Sequence, residues 1–284
     1  MKGIYVAACI TTVAAVGIFG TIAWRMKMPA ERRWLVRACL IVLPMQPLVF
    51  YLVRVPLDGW LAGLWGRQSG LYQFLTTFYA PLTEEPAKLV PLLVPAIFRD
   101  VRRENFVRYA VAIGLGFGIG ELWFIAERVS HDPQLGNLPF YYYGGFFGER
   151  LSVCLLHAAF VAVALRQLRN KFPLGLLGAM ALHYFGNFPI FLMAKNAFGW
   201  GAGVWRLIVT VWLQLYLVGG ILLLTYFALG KFKPGRVLFG KSRCPECGTV
   251  YPSPLFGLNL GLKRYERCPN CRKWHIVKAM RNAE

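Results

Sequence analysis

Apolar residues fall in seven long blocks along this chain, at 4–24, 34–53, 71–98, 106–126, 146–165, 174–194 and 205–229, with polar connections between them. A bilayer core about 30 Å thick takes roughly 20 apolar residues as helix, so each block predicts one membrane span. The expected fold is an all-α polytopic membrane protein of about seven transmembrane helices over 1–230, followed by a distinct tail, 231–284. The third block is irregular. As one helix it would run about 42 Å, and it contains Pro81, Pro86, Pro91 and Pro95. Each proline removes a backbone donor and frees a carbonyl one turn earlier. Thr83, Glu84, Glu85 and Pro86 read as a helix start, with a capping hydroxyl, first-turn acids and an early proline. Two half-helices meeting near Thr83 are therefore expected, a break that membranes tolerate where protein or water satisfies the backbone.

Composition agrees with this pattern. The chain is 57% hydrophobic and 16% charged, against about 25% charged in a soluble domain. Disorder, a collagen-like chain, a secreted disulfide scaffold and an ordinary soluble enzyme are excluded. The net charge of +19 would suggest nucleic acid, but its distribution follows the spans. Arg25, Lys27, Arg32 and Arg33 lie in the first connection. Arg99, Arg102, Arg103 and Arg108 lie around the third, and Arg166, Arg169 and Lys171 in the fifth. The second, fourth and sixth connections carry fewer. Short cytoplasmic loops collect Lys and Arg, so the odd connections and the tail are expected in the cytoplasm and the N-terminus outside. A single Lys2 precedes the first block while the basic cluster follows it, the reverse of a signal peptide. A retained helix is expected there.

The tail carries Cys244-Pro-Glu-Cys247 and Cys268-Pro-Asn-Cys271, twenty residues apart. Paired knuckles at this spacing predict a four-thiolate structural Zn²⁺ site, a zinc ribbon, in which the metal supplies folding energy that a small core cannot. Two disulfides are the alternative, disfavoured in a cytoplasmic tail. His275 is a further candidate ligand that four cysteines make unnecessary. Twelve basic and three acidic residues, with Phe256, Tyr265 and Trp274, would also allow contact with anionic lipid or nucleic acid. A plain basic cytosolic flank is the preferred reading. Cys9, Cys39 and Cys154 stand alone in apolar runs and read as core residues.

The chemically informative residues lie inside the spans. Glu84, Glu85 and Lys88 fall in the third, Glu121 in the fourth, His157 in the fifth and His183 in the sixth. A charge at mid-bilayer costs about 2.5–3.5 kcal/mol on insertion scales, so these groups are expected to face one another. Glu84 and Lys88 share a helix face, as do Phe117 and Glu121, and His183 and Asn187; Arg150, Cys154 and His157 form one stripe. Gly114, Gly116, Gly118 and Gly120 would let helices approach closely around this centre. Glu84, Glu85 and Glu121 against Lys88 leave a net charge of −2, or −1 with Arg150 turned inward. Such a site takes up a proton, a protonated histidine or a divalent cation. A carboxylate beside an imidazole is equipment for activating water. No H-E-x-x-H or G-x-S-x-G occurs, and Asp58, Asp100 and Asp132 all fall in expected loops.

The ordered set Glu84-Glu85-x-x-Lys88, Phe117-x-x-x-Glu121 and His183-x-x-x-Asn187, with a histidine in each of the fifth and sixth spans, resembles the PrsW family of intramembrane proteases over residues 30–230. That family belongs to the wider group that includes the type II CAAX prenyl endopeptidases. The resemblance implies hydrolysis of a peptide bond in a membrane-protein substrate, in a bacterial or archaeal plasma membrane. It implies Glu84 as general base on water, oriented and charge-balanced by Glu85 and Lys88. Glu121 would hold the water or a metal from the opposite helix. His183 and Asn187 would stabilise the oxyanion, and His157 would be a second water or metal ligand or a support for Glu85. Both a catalytic metal and a glutamate-activated water suit this set. The zinc ribbon lies outside the family core and would recruit its own cytoplasmic partner. An ion-coupled transporter also places acids and histidines at mid-membrane, but the spans show no internal repeat. A silent scaffold acting through the ribbon is the third class.

Overall fold

The computed structural model describes residues 2–20, 29–229, 241–252, 258–260 and 263–280. The end of the first expected span (21–24), Arg25, Lys27, Phe256 and residues 230–240 lie outside the described residues. The chain divides into two compact units, Met1–Leu224 and Thr225–Glu284. Among the described residues, six helical stretches are long and apolar enough to cross a membrane: Gly3–Gly20, Arg33–Trp65, Phe106–Ser130, Phe140–Arg166, Phe172–Ala194 and Ala202–Ala228.

In chain order, α1 is Gly3–Ala15, with a π-helical turn continuing to Gly20, and α2 is Pro29–Val42. Next come α3, Met45–Val49, a second π-helical turn, Phe50–Arg54, and α4, Val55–Trp65. The long second stretch corrects the expected end at 53. Arg54 reads as the start of a polar connection, yet the helix runs on to Trp65, because Thr83 and Glu84 satisfy the guanidinium internally. Pro56 lies inside this continuous helical stretch, Phe50–Arg54 being π-helical and Arg54 itself αR, and removes one backbone donor from it. Asp58 is accordingly helical rather than in a loop; it accepts from Tyr72 Oη at 2.5 Å and pairs with Arg67 at 3.1 Å.

The third block is broken more thoroughly than expected. It forms α5 (Gly70–Thr76), α6 (Tyr79–Lys88), a 3-10 turn (Val90–Leu93) and α7 (Pro95–Asp100). The breaks fall at Thr77–Phe78, at Leu89 and at Val94, not at Thr83. Val94 is extended (φ −79°, ψ 112°), the conformation that a following proline imposes. Thr83 lies inside α6, so it is no cap: its hydroxyl donates to the Tyr79 carbonyl at 2.5 Å and accepts from Arg54 Nε at 2.7 Å.

Helix α8, Phe106–Ser130, forms the centre of the first unit, buried almost throughout from Phe106 to Gly120. Its alternating glycines explain this. A Cβ at Gly114 would stand 2.3 Å from the Ala158 backbone nitrogen, and one at Gly120 would stand 1.9 Å from the Leu43 carbonyl. Gly114 and Gly118 thus admit α9 (Gly144–Arg166) on one side, and on the other Gly116 admits α2 and Gly120 the turn that follows it at Leu43. Helices α10 (Phe172–Ala194) and α11 (Ala202–Leu229) follow. Lys2 Nζ donates to the Ser130 carbonyl at the C-terminal end of α8. At the opposite end, Arg169 donates to the Phe98 carbonyl at 2.7 Å. The start of the chain and the third and fifth connections therefore lie at opposite ends of α8.

In the second unit, β1 (Lys241–Arg243), β2 (Val250–Pro252), β3 (Leu258–Leu260), β4 (Lys263–Arg267) and β5 (Trp274–Met280) form one antiparallel sheet, ordered β2-β1-β5-β4-β3. Tyr265 and Trp274 stack across β4 and β5 with ring centroids 5.3 Å apart.

Candidate functional site

Helix α6 carries Glu84, Glu85 and Lys88, all buried. Its short length, set by the breaks on either side, points three ionisable groups inward from less than two turns. Lys88 Nζ donates to Glu85 Oε1 at 2.5 Å, with the side chains 0% and 1% exposed. The partner is three residues away rather than the four that a shared face with Glu84 suggests. His183 Nδ1 approaches the same oxygen at 2.5 Å from α10. An ionised carboxylate only accepts, so Nδ1 carries the proton. That bond turns His183 Nε2 toward Glu84, whose Oε2 lies 3.8 Å away. A gap of that size between two polar atoms suits a bridging water better than a direct bond.

Glu84 is held from its other side. Arg54 Nη2 donates to Glu84 Oε1 while Arg54 Nε donates to Thr83. Arg54 has no place in the sequence-derived set, because an arginine just past an apolar run reads as a flank. Its distance from the connection's other basic residue, Arg67, was the available signal.

The second cluster joins α8 to α9. Glu121 Oε2 lies 3.0 Å from His157 Nε2, and Glu121 Oε1 lies 3.5 Å from Arg150 Nη1. His157 thus pairs with Glu121 rather than supporting Glu85. Its Nδ1 is buried without a hydrogen-bond partner among the described residues, which leaves a lone pair for an incoming donor when Nε2 holds the proton. Cys154, on the same stripe, packs against Gly118.

Aromatic rings connect the two clusters. His157 meets Phe117 edge-on at 5.0 Å, and His183 stacks on Phe160 at 5.4 Å. Lys88 Nζ lies 4.8 Å from the Phe117 ring and 5.5 Å from the Phe160 ring, and the two imidazoles are 6.1 Å apart. Phe160, one more ring in an apolar span, carried no distinguishing signal. Asn187 sits one turn beyond His183, half buried, and no hydrogen bond among the described residues joins it to the cluster.

The inward-facing charges balance. Arg54, Lys88 and Arg150 face Glu84, Glu85 and Glu121, while the exposed Glu149 also pairs with Arg150, at 2.5 Å; among the inward-facing groups the deficit expected without Arg54 disappears. Among the described residues, three or more ligand atoms come within 4.8 Å of one another only in the tail. The arrangement can bind and polarise a water between Glu84 and His183.

In the tail, the Sγ atoms of Cys244, Cys247, Cys268 and Cys271 all lie within 4.8 Å of one another. Cys244–Cys271 and Cys247–Cys268 are each separated by 3.6 Å. A tetrahedral site with metal–sulfur bonds of about 2.3 Å has edges of about 3.8 Å, so these four could hold a metal such as zinc. Both knuckles close alike: Gly248 N–H donates to the Cys244 carbonyl and Arg272 N–H to the Cys268 carbonyl, at 3.1 and 2.9 Å. Hydrogen bonds from the Thr249 side chain and backbone hold the Cys247 thiol down to about 5. His275 Nε2 stands 3.6 Å from Cys271 Sγ. No family model, curated protein or solved structure matches this chain.

Proposed function

We propose that the chain is an intramembrane endopeptidase of the PrsW type, in which Glu84 activates water to hydrolyse a peptide bond of a membrane protein. The observation that carries this reading is the facing of Glu84 Oε2 and His183 Nε2 across 3.8 Å, with Glu85 fixing the imidazole through Nδ1. A water in that gap gives its proton to Glu84 as it attacks the carbonyl carbon, and Glu84 returns the proton to the leaving amine. His183, oriented through Nδ1 by Glu85 as the acid orients histidine in a triad, presents Nε2 to the gap in which the oxyanion forms. Asn187 is close enough in the helix to supply a donor once substrate enters. Charge balance and the spread of the ligand atoms favour activated water over a catalytic metal in this membrane site.

The topology belongs to the same proposal. The broken third block completes a seventh crossing, the N-terminus lies outside and the tail lies in the cytoplasm. Supporting this, the arginine-rich third and fifth connections share one end of α8 and Lys2 lies at the other. Cys244, Cys247, Cys268 and Cys271 would hold a structural Zn²⁺ in a ribbon that recruits a cytoplasmic partner.

The test is recovery of new peptide N-termini from membranes expressing the wild type, Glu84→Gln or His183→Ala at matched folded levels. The expected outcome is a set of cleavage products present with the wild type and absent with either variant. Identical products from all three would overturn the assignment.

A further inference from the structure

The third and fifth connections do more than carry charge. Between α7 and α8, and between α9 and α10, they enclose a cavity of about 430 Å³ lined by Arg102, Arg103, Arg166 and Arg169, with Gln167 and Asn170. Arg169 ties the two connections together, donating to the Phe98 carbonyl at 2.7 Å with its guanidinium 4.2 Å from the Phe98 ring. Arg102 and Arg103 are exposed, and neither forms an ion pair among the described residues. Of the two acids nearest in sequence, Glu104 is exposed and does not line the cavity, and Asp100 accepts from Tyr109 Oη. A basic loop that only records topology has no reason to form a pocket, and here two loops build one.

Leu168 is also a wall of a second cavity, about 480 Å³, that runs from Leu168 and Phe172 past Phe98 to Leu89 and Leu93. Its lining side chains are all apolar, and Leu93 at its edge is 79% exposed. The structure therefore sets an arginine pocket directly against a hydrocarbon-lined cleft. We propose that this pair of cavities binds one anionic phospholipid, the phosphate among the arginines and an acyl chain along the cleft. A peptide occupant fits less well, because the cleft offers no side-chain partner for backbone N–H and C=O groups, whereas an acyl chain needs none. Arginine forks match phosphate oxygens, and basic pockets between spans on the cytoplasmic side take anionic head groups. The inference stands independently of the hydrolytic reading.

The experiment uses the full chain in detergent, with retained lipid counted by native mass spectrometry. The probes are dioleoyl phosphatidylglycerol, dioleoyl phosphatidylcholine and inorganic phosphate. The expected result is preferential retention of phosphatidylglycerol. Arg102→Gln combined with Arg103→Gln should weaken that retention roughly thirtyfold, taking each arginine at its usual worth near a membrane surface, with phosphatidylcholine unchanged. Because both residues are exposed, the variant should fold; raising salt on the wild type provides a second measurement and should weaken phosphatidylglycerol alone. Leu168→Trp, which fills the shared wall, should weaken phosphatidylglycerol without affecting inorganic phosphate. Equal retention of the two lipids, or an undiminished preference in the double variant, would overturn the proposal. Inorganic phosphate binding as tightly as the lipid would reassign the pocket to a free anion and overturn it too.

Discussion

Replacing Lys88 with Met tests whether the buried charges act as a paired set. The Lys88 ammonium lies 2.5 Å from Glu85 Oε1, neither side chain more than 1% exposed. Methionine keeps the stem and most of the volume, so the change removes charge with little cavity. Breaking a buried pair from one side costs about 3–5 kcal/mol, because the remaining ion keeps its desolvation penalty. Loss of the cation from the Phe117 and Phe160 rings, at 4.8 and 5.5 Å, adds about 1 kcal/mol. Combining Lys88→Met with Glu85→Gln removes both charges and retains a hydrogen-bonding group beside His183. The double variant should then lose only about 1–2 kcal/mol, the scale of a weakened hydrogen bond. The assay is reversible unfolding in mixed detergent micelles, in which the double variant should be at least about 2 kcal/mol more stable than Lys88→Met alone. A loss below about 1 kcal/mol for Lys88→Met, or a double variant no more stable than the single one, would refute the reasoning.

Two further outcomes follow from backbone geometry. Gly114→Ala places a Cβ 2.3 Å from the Ala158 nitrogen and should cost about 1–3 kcal/mol through displacement of α9, whereas Gly59→Ala, which meets nothing within 4 Å, should be neutral or stabilising in the same unfolding assay. Arg272→Gly should tighten zinc retention by the tail against a chelator, by about 1 kcal/mol: Arg272 sits at φ 59° where the first knuckle has Gly248 at φ 67°, and the left-handed conformation penalises a side chain.

The sequence foretold what depends on composition and local spacing. Apolar blocks of the right length became helices, and two Cys-x-x-Cys knuckles became one cluster of thiols, because both are governed by short-range geometry. Glu85, Glu121, His157 and His183 were conspicuous because a charge in an apolar run demands a partner. Which partner each would find was not legible. Lys88 reaches back to Glu85 because α6 ends at Lys88 and leaves the side chain free to fold along its own last turn. Arg54 escaped notice for a physical reason: its neutralising acid is thirty residues away in sequence, and only the broken third block brings them together. The same block shows the limit of capping rules. Thr83-Glu84-Glu85-Pro86 has the composition of a helix start, yet the chain enters α6 a turn earlier, and the threonine hydroxyl serves the interior of the helix instead.

Arg54 also changes what the site must be asked to do. With three cations set against three inward-facing carboxylates, one pair within α6 and two between separate helical segments, no external charge is needed to make the interior electrically acceptable. A neutral ground state has a consequence for hydrolysis. The tetrahedral oxyanion would be the one uncompensated charge created during the reaction, and the proton taken from water by Glu84 would leave Arg54 with a surplus positive charge on the same side of the gap. In the proposed hydrolysis, only the part of the Arg54 interaction that strengthens as the oxyanion forms would lower the barrier. Glu85 would hold the opposite side of the gap by fixing His183 through Nδ1. The paired arrangement of α6 against α10 thus makes chemical sense as a place where one proton moves between water, Glu84 and a leaving amine while the surrounding ions stay where the fold has fixed them.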